Sequence, residues 1–211
     1  MFSFKSLAVF STLAFGALSA LAVPVLDHNN VDANAVVVAR CDCDSVPNII
    51  ADVTVAIAPY IYTLQHTTSS NCTVEALSPV VLGIKAELST AIVNVKALIG
   101  QPAAVILAGV DVSAVVSVSV LAKLVADLII PLFVAIRVCL GVCGASVLAC
   151  VLPLFCSLGE VVGALVYAVL SVTAGLLVGL DVAIVALLTV VVDVFVKLNL
   201  SVLVSILGIK L

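Results

Sequence analysis

From Ser45 onward, apolar side chains recur at alternating intervals of three and four. Val46, Ile49, Ile50, Val53, Ile57, Tyr60, Ile61 and Leu64 line one face of a helix, and Asn48, Asp52, Thr54, Thr63 and Gln65 line the other. Ser45 and Pro47 are start signals for that helix, which Pro59 is expected to bend. A second helix is expected to open at Ser78 and Pro79. Its apolar face is Val81, Ile84, Leu88, Ile92, Val95, Leu98 and Ile99, and Gly100 and Pro102 stop it. Polar positions at Lys85, Glu87, Thr90, Asn94 and Lys96 complete an amphipathic hairpin over residues 45–100.

Beyond Pro102 the alternation fades, because the 109 residues from Ala103 to the end carry only nine charges. Length favours helix over strand, and Pro131, Pro153 and several glycines divide the run. Helices are expected near 103–130, 132–152, 158–179 and 181–207. The fold class is therefore all-α, a bundle of about six helices in which the hairpin packs on a very apolar C-terminal half. Residues 45–211 form one helical domain (hairpin 45–100, hydrophobic helices 103–211). The segments "DVSAVVSVSVLAKLVADL" from Asp111 and "DVAIVALLTVVVDVFVKL" from Asp181 align without a gap and swap charge signs at their later charged positions. Either each helix neutralises itself through an i,i+4 pair, or the two lie side by side and exchange partners.

The start, "MFSFKSLAVFSTLAFGALSALA", has Lys5, an apolar run from Leu7, and Ala20 and Ala22 around Leu21. This is the layout of a secretory signal over residues 1–22, cleaved after Ala22. Residues 23–44 read as a flexible leader or pro-segment, with Arg40 a candidate processing site. Composition is 64% hydrophobic and 9% charged, and the formal net charge of −4 becomes −5 without Lys5. Singly spread Lys and Arg offer no basic patch, which argues against nucleic acid as a partner.

Seven cysteines then carry the chemistry. Secretion favours pairing of thiols, whereas metal binding would want convergent ligands at closer paired spacings, so no metal or other cofactor is expected. In an up-down-up-down arrangement Cys41 and Cys43 lie at one end of the first helix and Cys72 at the other. A 20-residue helix spans about 30 Å, far beyond the reach of a disulfide. The expected bridges are Cys72 with Cys139, and Cys41 and Cys43 with Cys150 and Cys156 in either order, leaving Cys143 unpaired. Asn71, in the sequon Asn71-Cys72-Thr73, is the glycosylation candidate; Asn199 lies in a less polar setting. The acids Glu75, Glu87, Asp111 and Glu160 show no acid/base spacing, and Ser146 lacks a nucleophile-elbow setting. No catalytic residue is expected and the chain reads as non-enzymatic.

A signal sequence, a moderately polar N-terminal half and a very hydrophobic C-terminal half resemble the layout of secreted structural proteins of mushroom-forming fungi. Those proteins support aerial hyphae and attachment to hydrophobic surfaces. Cys41-Asp42-Cys43 is not the Cys-Cys doublet of hydrophobins. The resemblance implies a surface-active protein of the cell wall or extracellular matrix, self-associating and in contact with wall polysaccharide or hydrophobic surfaces. The alternative is an integral membrane protein, because residues 138–159 and 161–180 are uncharged runs of 22 and 20 residues. Against it stand a lone Arg137, the absence of Trp, and the cost of Asp111, Lys123, Asp127, Asp181, Asp193 and Lys197 at mid-bilayer.

Overall fold

The structure is a computed structural model, and it describes residues 44–109, 115–198, 200 and 205. The expected signal, leader, Arg40, Cys41, Cys43, Asp111 and Asn199 lie outside the described residues.

Helix α1 (Val46–Gln65) begins where the sequence signals place it, with Ser45 accepting a hydrogen bond from the Asn48 amide at 3.4 Å. Its buried residues are the expected face with Tyr60 half-buried at the margin. Helix α2 (Val74–Ala97) starts a turn earlier than Ser78, because Thr73 accepts from the Ala76 amide at 3.2 Å and caps it. That earlier start adds Leu77 to the buried stripe, while Ile99 past the helix end is exposed. The two helices approach closely at Gly83, where a Cβ would lie 2.5 Å from the Tyr60 ring. Any larger residue there would displace that ring.

The C-terminal half divides differently from expectation. A single turn, α3 (Ala103–Ile106), replaces the start of a long helix. Ala108 then pairs with Val115 in an isolated antiparallel bridge, and the Val116 amide donates to the Leu107 carbonyl at 2.9 Å. Gly109 and the β-branched Val115 and Val116 favour the interruption, since both residue types weaken helix. Helix α4 (Val118–Val142) runs through Pro131, and α5 (Ala145–Val172) runs through Pro153. The break falls at Cys143 and Gly144, where neither proline had placed it.

Proline inside a helix removes one hydrogen bond and orphans the carbonyl four residues back. Pro59, Pro79, Pro131 and Pro153 are all exposed, and so are Val55, Glu75, Asp127 and Ala149, the residues that hold the freed carbonyls. Water can serve those carbonyls, so the helices bend without breaking.

After α5, Thr173 and a turn with positive φ at Gly175 and Gly179 lead into α6 (Leu180–Leu188). A 3₁₀ turn (Thr189–Val191) and α7 (Val192–Lys197) follow, in place of one long helix over 181–207. Helix α1 packs on α2 and α4, α2 on α5, and α4 on α6. Helices α4 and α5 are consecutive but meet only marginally. Phe133 of α4 and Phe195 of α7, both fully buried, stack edge-on with centroids 4.7 Å apart. Among the described residues no charged side chain is buried; the buried polar residues are Ser45, Thr67 and Thr173. The all-α bundle expected from the pattern is the fold observed.

Two substitutions probe this core. Phe133→Ala should cost about 3–5 kcal/mol of unfolding free energy, by the combined loss of transfer energy and cavity formation. Pro131→Ala should instead stabilise the chain by about 1–3 kcal/mol, because it restores the missing amide in an intact helix. Urea denaturation followed by circular dichroism reads both, and a destabilised Pro131→Ala would contradict a continuous α4.

Candidate functional site

Three cysteines converge where the α1–α2 loop meets the C-terminal end of α4. Their sulfur atoms lie within 4.8 Å of one another: Cys72 in the loop, Cys139 one turn before the end of α4, and Cys143 at its C-cap. Cys72 and Cys143 form a disulfide with a Cα separation of 5.5 Å, inside the usual range. Cys139 is a buried free thiol.

Two expectations are thereby corrected. Cys72 pairs with Cys143 rather than Cys139, and Cys143 is not the unpaired cysteine. The reason is the continuity of α4: the helix passes Pro131 and reaches the Cys72 end at Val142, so the cysteine at its cap faces the loop. The expected pairing of Cys150 and Cys156 with Cys41 and Cys43 involves partners outside the described residues. Cys150 and Cys156 lie in the first half of α5, which starts at the Cys72 end, and have no disulfide partner among the described residues, Cys150 being exposed and Cys156 half-buried.

Cys139 carries the more perturbed environment of the trio. Burial pushes its thiol above the ordinary range, and a hydrogen bond with Thr67 partly offsets this. Thr67 is itself buried and donates to the Thr63 carbonyl at 3.2 Å. A thiol held protonated by its surroundings is a poor nucleophile. Burial also raises the Cys156 thiol, with the Glu160 carboxylate adding to the shift.

The loop that carries Cys72 also presents Asn71. Its side chain is exposed, and its Oδ1 accepts from the Thr68 amide at 2.7 Å, closing the turn from one side. Elsewhere a few charged groups find simple partners. Lys123 and Asp127 pair within α4 at 2.6 Å, the self-neutralising alternative for that segment. Asp193 pairs with Arg137 of α4 at 3.4 Å and not with Lys197. The two echoing segments do meet, through α4 and α6, yet they exchange no charged partners. Lys85 donates to Ser157 Oγ at 3.3 Å, linking α2 to α5.

Three cavities lie among the described residues. One of about 130 Å³ between α1 and α2 is rimmed by Asp44, Asp52 and Glu87. A second of about 300 Å³ lies among α4, α5 and α7, mostly aliphatic, with Arg137 and Lys197 among its lining residues. The third, about 460 Å³ and open, lies beside Tyr167 and the turn after α5. Arg137 and Lys197 are far apart in sequence, and no spacing rule relates them. Of the acids weighed as possible catalytic groups, Glu75 and Glu160 are exposed and stand apart from these cavities, and Glu87 borders the first. Comparison of the chain with protein-family models, curated proteins and solved structures finds no match.

The sulfur cluster predicts an order of reactivity. Iodoacetamide at neutral pH should label Cys150 first and Cys156 more slowly, and Cys139 only at alkaline pH or after unfolding. The sign follows from the raised thiol: its thiolate fraction is suppressed below the ordinary thiol range and grows as pH rises through the folded-state value. A disulfide map of the same protein should return Cys72 with Cys143, and early labelling of Cys143 would contradict the bridge.

Proposed function

We propose that this chain is a secreted, non-enzymatic structural protein that coats hydrophobic interfaces and associates with cell wall or extracellular matrix. Self-association, wall polysaccharide and apolar surfaces are its partners in this reading. The observation that carries it is where the charges lie on the most apolar helices. Lys123 and Asp127 on α4 and Glu160 on α5 all face outward and border none of the three cavities described above. In a bilayer, such residues would turn to the bundle interior or to a water-filled cavity. The outward prolines support the same reading, because lipid could not satisfy the carbonyls they free.

Surface activity rests on what the bundle leaves uncovered. Val55, Leu82, Val93 and Ile99 are exposed on the hairpin, and Leu176, Val178 and Val182 are exposed around the turn after α5. Val178 is 88% exposed, at a tip where two positive-φ glycines hold the turn. Exposed aliphatic surface of this kind favours assembly or adsorption. The exposure of Asn71 is compatible with a glycan on a secreted chain.

The second reading is an integral membrane protein, favoured by one observation: α1, α2, α4 and α5 are long and apolar enough to cross a bilayer. Fractionation of the native host into medium, wall and alkaline-carbonate-washed membranes separates the two. Recovery from medium or wall without detergent is expected, and retention in washed membranes would overturn the proposal. Purified protein should also lower the surface tension of water and coat hydrophobic beads. The double variant Val178→Ser/Val182→Ser should coat them more weakly at unchanged thermal stability, since neither side chain is buried.

A further inference from the structure

We infer that the cavity among α4, α5 and α7 is a binding site for a single-chain anionic amphiphile, a long-chain carboxylate. Its walls are Leu140 from α4, Leu148 and Leu152 from α5, and Val194 from α7, with Arg137 and Lys197 as its charged members. At about 300 Å³ it stands at the lower end of the size range of small-molecule sites, room for one alkyl chain and not for the two of a bilayer lipid. Aliphatic walls with a few convergent polar groups are the usual form of such a site. Two of the five Lys and Arg among the described residues line this one cavity.

Charge complementarity selects the head group. Arg137 Nη1 lies 3.4 Å from Asp193 Oδ2, and both side chains are about half exposed. An exposed pair of this kind is weak, so a ligand carboxylate can compete for the guanidinium. Lys197 makes no ion pair among the described residues. Arg137, Lys197 and Asp193 together leave one net positive charge at the site, which suits one carboxylate. Asp193 opposes the ligand, and this gives the inference a distinctive signature: removing that charge must tighten binding.

Gly141 borders the same cavity, and a Cβ there would meet nothing within 4 Å. A larger side chain at this helical position can therefore fill space without displacing a neighbour. The site lies apart from the exposed tip at Val178 and does not depend on whether the chain is secreted, so it can fail or stand separately from the proposed function.

The experiment is calorimetric titration of the full chain with octanoate, decanoate and dodecanoate below their micelle-forming concentrations, at neutral pH and low salt. Saturable binding of one ligand per chain is expected, tightening roughly fourfold for each added methylene until the cavity is filled and levelling off after that. Gly141→Leu and Lys197→Glu should each weaken decanoate binding at least tenfold, and Asp193→Asn should strengthen it severalfold. Because Asp193→Asn acts in the opposite direction, a folding defect cannot imitate the full pattern. Binding that never saturates, that ignores Gly141→Leu, or that is matched by dodecyltrimethylammonium would overturn the site. Binding to phosphatidylglycerol vesicles without binding to monomeric carboxylate would assign the cations to a bilayer surface and equally overturn it.

Discussion

The packing of α1 against α4 and of α2 against α5 is the constraint on which the architecture rests. Helices α4 and α5 are the most apolar long segments, and only Cys143 and Gly144 separate them, yet they barely touch. Each packs one face on a member of the amphipathic hairpin, α4 on α1 and α5 on α2, and α4 turns a further face to α6 and α7. Hydrophobic burial is worth about 25 cal/mol per Å², and here much of that gain is realised across the two halves of the chain, through α1 with α4 and α2 with α5. The hairpin is accordingly the element that joins α4 and α5 into one core.

The same arrangement decides where the rule-breaking residues go. Once α4 and α5 turn one face to the hairpin, the outer faces must hold everything that cannot be buried. Prolines, the residues that hold their freed carbonyls and the charges Lys123, Asp127 and Glu160 all lie there. What remains outside with them is aliphatic surface at Val55, Leu82, Val93 and Val178, for which the composition supplies too few polar residues. Low charge thus produces an ordinary helical interior together with exposed aliphatic side chains on the exterior.

The bridge from Cys72 to Cys143 fastens this topology at one end, joining the hairpin loop to the α4–α5 connection across 71 positions of sequence. Closing a loop of that length restricts the unfolded chain by about 4 kcal/mol in the chain-entropy account. It also holds the start of α5 beside the end of α4, and Leu140, Leu148 and Leu152 of these helices wall the cavity with the basic members. Fold-stabilising chemistry and a site with binding potential therefore share one end of α4.

The sequence alone determined the helical class, the buried face of α1 and most of that of α2, because a three-and-four period and a Ser or Thr cap act locally. It also placed Cys72 near Cys139, since helix length restricts which ends can meet, but it chose Cys139 and not Cys143 as the bonded partner. Tertiary structure decided what local signals could not. Pro131 and Pro153 read as breaks, but their cost depends on whether water reaches the freed carbonyls, which only the orientation of the helix sets. That orientation carried α4 one helical turn past the expected partner, so Cys143 took the bridge and Cys139 became a buried thiol. The meeting of Arg137 with Asp193 and Lys197 has no sequence signature either, because it arises only when α7 folds back against α4.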